Sequence, residues 1–123
     1  MPLSRVKPGQ YQQLLDEKTA RITALLSRFS PPAPTVYPSP TTGYRMRAEF
    51  RIWHDGDELD YVMYRPDEPS VPVAINSFPV AAESIQQLMP VLREALKVSP
   101  LLRHKLFQVE FLSTLAGDML VTL

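Results

Sequence analysis

The chain has 123 residues, 45% apolar and 21% charged, the balance of one folded domain with a single core. Thirteen Lys plus Arg offset thirteen Asp plus Glu, which excludes a generally polybasic protein but not a local basic patch. With no cysteine present, disulfides, thiolate metal ligands and thiol nucleophiles within this chain are excluded, and no apolar run reaches the ~18 residues of a membrane span. Met1-Pro2-Leu3-Ser4-Arg5 has no apolar stretch behind its charge and does not read as a secretory signal, so a soluble cytoplasmic protein with no membrane partner is expected.

The first predicted element is a helix over residues 11–28. Tyr11, Leu14, Leu15, Ile22, Leu25, Leu26 and Phe29 recur at helical spacing, with Gln12, Asp16, Glu17 and Arg21 opposite. Ser30-Pro31-Pro32 ends it. Residues 31–43, with prolines at 31, 32, 34, 38 and 40, read as an extended connector. Residues 44–53 form the clearest strand. Tyr44, Met46, Ala48, Phe50 and Ile52 share one face, and Arg45, Arg47, Glu49, Arg51 and Trp53 share the other. His54-Asp55-Gly56-Asp57 is a hairpin turn, 59–64 the return strand, 65–70 a second turn and 71–75 a short strand. Pro72 cannot donate to a ladder, which puts that strand on a sheet edge.

Asn76-Ser77-Phe78-Pro79 has the pattern of a helix start, followed by a stripe of Ile85, Leu88, Met89, Leu92 and Leu96. Pro90 either kinks this helix or begins a second one. After Ser99-Pro100, residues 101–112 read as one long strand with Phe107, Val109 and Phe111 on one face. Residues 119–123 form a last strand whose open edge invites self-association. The sum is an α+β fold: an N-terminal helix, then an antiparallel sheet of about five strands with a second helix packed on it. Residues 1–30, 31–43 and 44–123 are its helix, connector and core.

Few residues offer chemistry. His54 and His104 have no ligand-like spacing to carboxylates, and the acids at 55, 57, 58 and 60 lack the closing glutamate of a calcium loop. Four scattered glycines build no phosphate or cofactor loop. The arginine-rich strand face stands out. Residues two apart on a strand are about 6.7 Å apart, near the spacing of successive phosphates. Arg45, Arg47 and Arg51, with Trp53 beyond them, suit a nucleic-acid backbone and a stacked base. Arg103, His104, Lys105 and Phe107 form a second basic segment. The same strand face is also what a solvated sheet presents, with Glu49 and the hairpin acids neutralising the arginines. Alternation with Val109 and Phe111 also makes Phe107 a candidate core residue. Both pairs of readings are open on spacing alone.

The block from Tyr44 through Arg51-Ile52-Trp53-His54-Asp55-Gly56 resembles the bacterial tRNA (uracil-5-)-methyltransferases, which make ribothymidine in the T-loop. Asn76-Ser77-Phe78-Pro79, Leu102-Arg103-His104-Lys105-Leu106-Phe107-Gln108, and Tyr11, Leu15, Glu17, Lys18 and Phe29-Ser30 extend the likeness over nearly the whole chain. The resemblance implies that this is the N-terminal, tRNA-holding part of a longer enzyme. S-adenosylmethionine would bind a Rossmann-like domain outside it, which would also carry the cysteine that attacks C6 of uracil. No catalytic or cofactor residue is then expected within the chain, and the chain alone is expected to be inactive. In similar enzymes the residues matching Arg51 and Phe107 touch or wedge into the RNA. The competing reading is a protein-interaction module that uses the proline strap and the open edge strand.

Overall fold

Ala48, Phe50 and Ile52 alternate with charged residues, and a pleated strand sends such a set to one side. All three are buried within β1 (Arg47–Asp55). Asp55 pairs with Glu58 at the start of β2 (Glu58–Arg65), leaving a two-residue turn. There Gly56 takes φ 59°, a conformation that costs other residues more. A second tight turn between paired Arg65 and Glu68 leads to β3 (Glu68–Ala74), which therefore starts earlier than the proline-rich spacing suggested. β4 (Gln108–Ser113) and β5 (Met119–Thr122) complete an antiparallel sheet of order β3-β2-β1-β4-β5. Pro72 does lie on an edge strand, and β5, paired only to β4, is the other edge.

The computed structural model describes residues 6–123; residues 1–5, which carry the reading of the N-terminal signal, lie outside the described part. Helix α1 (Tyr11–Leu26) runs into a 3-10 turn to Phe29 and stops at Ser30, where φ is 49°. The helix is where periodicity places it, yet none of its residues is buried, and Leu25 is 67% exposed. Its stripe lies along the returning connector. Ile22 and Leu26 line a cavity of about 390 Å³ with Pro31, Pro32 and Pro34, and the Ser39 amide donates to the Tyr11 hydroxyl at 2.7 Å.

Helix α2 (Glu83–Lys97) covers one face of the sheet with Ile85, Met89 and Leu96. It runs through Pro90 as a single helix. It begins later than the sequence suggested, because residues 76–82 are taken by other partners. Phe78 packs edge-on to Phe50, with ring centroids 5.2 Å apart. The backbone at 79–82 binds the chain entering the sheet: Gly43 N donates to Pro79 O at 2.9 Å, Arg45 N to Val80 O at 2.9 Å, and Ala82 N to Arg45 O at 2.8 Å. These bonds also delay β1 to Arg47. After α2 a short helix, α3 (Pro100–Arg103), replaces the first part of the expected long strand, with Ser99 Oγ accepting from Leu102 N.

The core centres on aromatic rings. Phe50 lies 5.4 Å from Tyr61 and 6.2 Å from Phe111, in tilted or edge geometries. The buried Tyr61 hydroxyl donates to the Met89 carbonyl at 2.7 Å, so it is not an orphaned polar group. Its burial pushes its pKa up to about 12. At the far end of the helix, Lys97 Nζ meets Glu58 at 2.7 Å and ties α2 to the β1–β2 hairpin.

Replacing Phe50 by Ala removes a ring that is 1% exposed and touches three others, and should cost about 3–5 kcal/mol in urea unfolding. A loss under about 1 kcal/mol would show that the core does not depend on it. The Lys97 ammonium holds the Glu58 carboxyl below its ordinary value. A depressed carboxylate stabilises the fold above its unfolded pKa, and the contribution is lost as pH falls through the folded value. The melting temperature should therefore fall between about pH 5 and pH 3, and Lys97→Met should flatten part of that fall. Identical profiles for the two proteins would exclude the pair as a contributor.

Candidate nucleic-acid interface

Burying Phe50 and Ile52 fixes Arg47, Glu49, Arg51 and Trp53 on the opposite, open face of the sheet. β1 is the central strand, so neighbours on both sides decide what those residues can do. Across β4, Glu49 stands opposite Glu110 and Arg51 opposite Gln108; across β2, Trp53 stands opposite Asp60.

Two carboxylates facing each other repel, and Arg47 lies between them. Its guanidinium bonds Glu49 at 3.1 Å and also bonds Glu110. The hydrogen bond to Glu110 raises the Arg47 pKa, and the same bond lowers that of Glu110. This end of the face carries one positive and two negative charges, so it is no phosphate site. The expected row of three free arginines is interrupted at Arg47. The pairing of Glu49 with an arginine, one of the alternatives open on sequence, is present.

Arg51 has a different setting. Its guanidinium carbon lies 4.1 Å from the centroid of the Phe107 ring, and none of the acids of the described residues pairs with it. Phe107 is 63% exposed, so of the two readings open on sequence it is not the core one that holds. β4 begins only at Gln108, so the alternation of Val109 and Phe111 does not extend back to it. Leu106 goes into the core in its place, and Lys105 takes φ 56° in the turn between. Trp53 is 45% exposed on the same face. His104 and Lys105 line a surface cavity of about 550 Å³ with Phe107, Gln108 and Leu123. Arg45 precedes the sheet, exposed, with no ion-pair partner among the described residues.

Arg103 is not a free cation. Both terminal nitrogens of its guanidinium donate to main-chain carbonyls. His54, whose side chain sequence spacing left without a role, bonds the Leu106 carbonyl through Nε2 at 2.8 Å. Sequence reasoning missed Glu110 as the partner of Arg47. It also missed the Arg51–Phe107 stack, because the residues that meet are more than fifty positions apart and only the sheet register joins them.

The arrangement offers a flat cation lying on an exposed aromatic ring, with a tryptophan on the same face and a lysine in the adjoining turn. Such groups bind phosphates and stack on bases. No acid–base pair or nucleophile stands among them. The strand-to-helix crossover at 75–82 has no glycine and is filled by buried Ile75, Phe78, Val80 and Ala81. That crossover leaves no glycine-lined cradle for a cofactor. No helix among the described residues is long and apolar enough to cross a membrane.

Residues 10–123 match the family described as tRNA (Uracil-5-)-methyltransferase. A tRNA/tmRNA (uracil-C(5))-methyltransferase of Chromohalobacter salexigens is 53% identical over 100% of this chain and 34% of its own length. Proteins of the same name from Aromatoleum aromaticum and Vibrio atlanticus are 47% and 50% identical, over 100% and 96% of this chain. The chain spans about a third of the length of the curated relatives it matches. It belongs to the tRNA (uracil-5-)-methyltransferase family.

Proposed function

We propose that this chain is the RNA-holding part of a cytoplasmic, S-adenosylmethionine-dependent tRNA (uracil-5-)-methyltransferase that acts on the T-loop uridine. The observation that carries the reading is the Arg51 guanidinium lying on the exposed Phe107 ring without a carboxylate partner. Stacking holds the planar fork in place while its edge nitrogens stay directed at solvent, where a phosphate oxygen can accept from them. The Phe107 ring edge and Trp53 supply apolar surface for a base displaced from its stack. His104 and Lys105, in the turn that leads to Phe107, and Arg45, beyond the Arg47 cluster at the other end of β1, position the backbone without reading sequence. Arg47 and Arg103 are bound within the chain, so they act through the shape of the face. Adenosylmethionine supplies the methyl group in this reading, and its site and the attacking thiol belong to the rest of the longer protein. The open edge of β5 favours a second, weaker association, pairing with another copy of the isolated chain.

The isolated chain should form no methylated uridine when supplied with tRNA and S-adenosylmethionine; turnover by the purified chain would refute this assignment. Replacing Arg51 by Ala should weaken tRNA binding by about 1.5–3 kcal/mol, the worth of a charge-assisted contact. Stability should change by less than ~1 kcal/mol, the worth of an exposed cation–π pair. The logarithm of affinity should fall with the logarithm of salt at a slope of roughly −2 to −3, as Arg45, Arg51 and Lys105 each release counterions. A folded Arg51→Ala protein with unchanged affinity would remove Arg51 from the interface.

A further inference from the structure

Arg103 stands in the middle of a basic segment, and charge alone would make it a phosphate ligand. Its surroundings point elsewhere. Nη1 donates to Asp57 O at 2.9 Å and to Lys97 O at 3.1 Å, and Nη2 donates to Gly56 O at 3.1 Å and to Glu58 O at 3.4 Å. The fork therefore joins three separate pieces of chain: the tip of the β1–β2 hairpin, the end of α2, and α3, whose last residue it is. Four carbonyl oxygens already occupy its terminal donors. Asp55, Asp57 and Glu58 stand at the same hairpin tip and repel an approaching phosphate.

Directly after Arg103 comes the turn that presents Phe107. Lys105 within it holds φ 56°, a conformation that persists in a non-glycine residue only where its neighbours over-determine it. Leu106 N donates to Arg103 O at 3.1 Å, His54 Nε2 meets Leu106 O at 2.8 Å, and Ile52 N donates to Phe107 O at 2.9 Å. One end of the turn is thus fixed by the guanidinium and the other by β1. We infer that Arg103 is a positioning residue: its guanidinium clamp sets the 104–107 turn, and so places the Phe107 ring under Arg51 for RNA. This rests on the functional reading above and adds to it a device that never touches the RNA.

The test compares Arg103→Gln, Arg103→Lys, Phe107→Ala and the double variant Phe107→Ala/Arg103→Gln in the 123-residue chain. Melting temperature, binding of a tRNA transcript across a salt series, and the NMR shifts of the Arg51 side chain are measured for each. In the parent protein the ring current of Phe107 should move the Arg51 side-chain protons upfield. Both Arg103 variants should lose that shift and bind tRNA roughly fivefold or more weakly, the scale of one lost stacking contact. The salt slope should equal that of Phe107→Ala, because both changes release Arg51 from the ring and neither removes a phosphate contact made by Arg103 itself. Lysine should not rescue, since a point charge cannot span four carbonyls as a fork does. The double variant should bind within about twofold of Phe107→Ala alone, as coupled residues are not additive. If Arg103→Gln does not fold, Arg103→Lys, which keeps the charge, decides by the same measures.

A salt slope shallower by about 0.7–0.9 in Phe107→Ala/Arg103→Gln than in Phe107→Ala would make Arg103 a phosphate ligand and overturn the inference. So would additive losses, or an unchanged Arg51 signature. If Phe107→Ala leaves tRNA affinity intact, the functional reading falls instead, and the Arg51 shifts still decide whether Arg103 holds the turn.

Discussion

Phe50 is the residue on which the rest of the molecule depends. Its ring meets Tyr61 on β2, Phe111 on β4 and Phe78 on the crossover, so one side chain joins three segments that the sequence separates widely. A strand that buries Phe50 must present Glu49 and Arg51 on its other face, and a slip of one residue would exchange the two sets. The open face is therefore fixed by the core packing beneath it. The helix that completes the core, α2, lies only on the Phe50 side, as expected for an antiparallel sheet with one solvated face.

That open face is divided by charge. Toward β4 and β5, Arg47 is shared between Glu49 and Glu110, a cluster with more negative than positive charge. Toward the 104–107 turn, Arg51 has only the Phe107 ring for company, and Lys105 adds a second cation. The net charge of zero for the whole chain hides this asymmetry. An ion pair exposed on a sheet contributes little to stability. Its greater effect here is to neutralise the stretch of the face between Arg45 and Arg51, so that the free cations stand at the two ends of β1.

The alternation from Ala48 to Trp53, the stripe of α2, the edge position fixed by Pro72 and the α+β class were all legible in the sequence, because each follows from a local period or from a missing donor. The resemblance added the family. The departures share one cause, which is partners that local pattern does not reveal. Asn76-Ser77-Phe78-Pro79 has the chemistry of a helix start, but Phe78 belongs to the core and the backbone at 79–82 belongs to the chain at 43–45. Residues 101–107 have the apolar content of a strand, but Ser99 caps a helical turn and Lys105 takes a left-handed conformation, which together turn Phe107 outward. Arg103 and Arg51 cannot be told apart as cations in sequence. The structure separates them by what each faces, four carbonyls in one case and an aromatic ring in the other.

The absence of any buried residue in α1 has a thermodynamic meaning. A helix of 16 residues without core contacts keeps little more than its own marginal helix–coil equilibrium, supplemented by what the proline connector lends it. Its amides should therefore open and exchange with solvent at a lower free-energy cost than those of β1 and β4. The part that opens is tied to the body at both ends: Val6 packs against the core before α1, and the backbone from Gly43 to Met46 is bonded to residues 79–82 and to Ser113. A destabilising change in the sheet would be felt throughout the body, whereas one in α1 would reach it only through these two attachments.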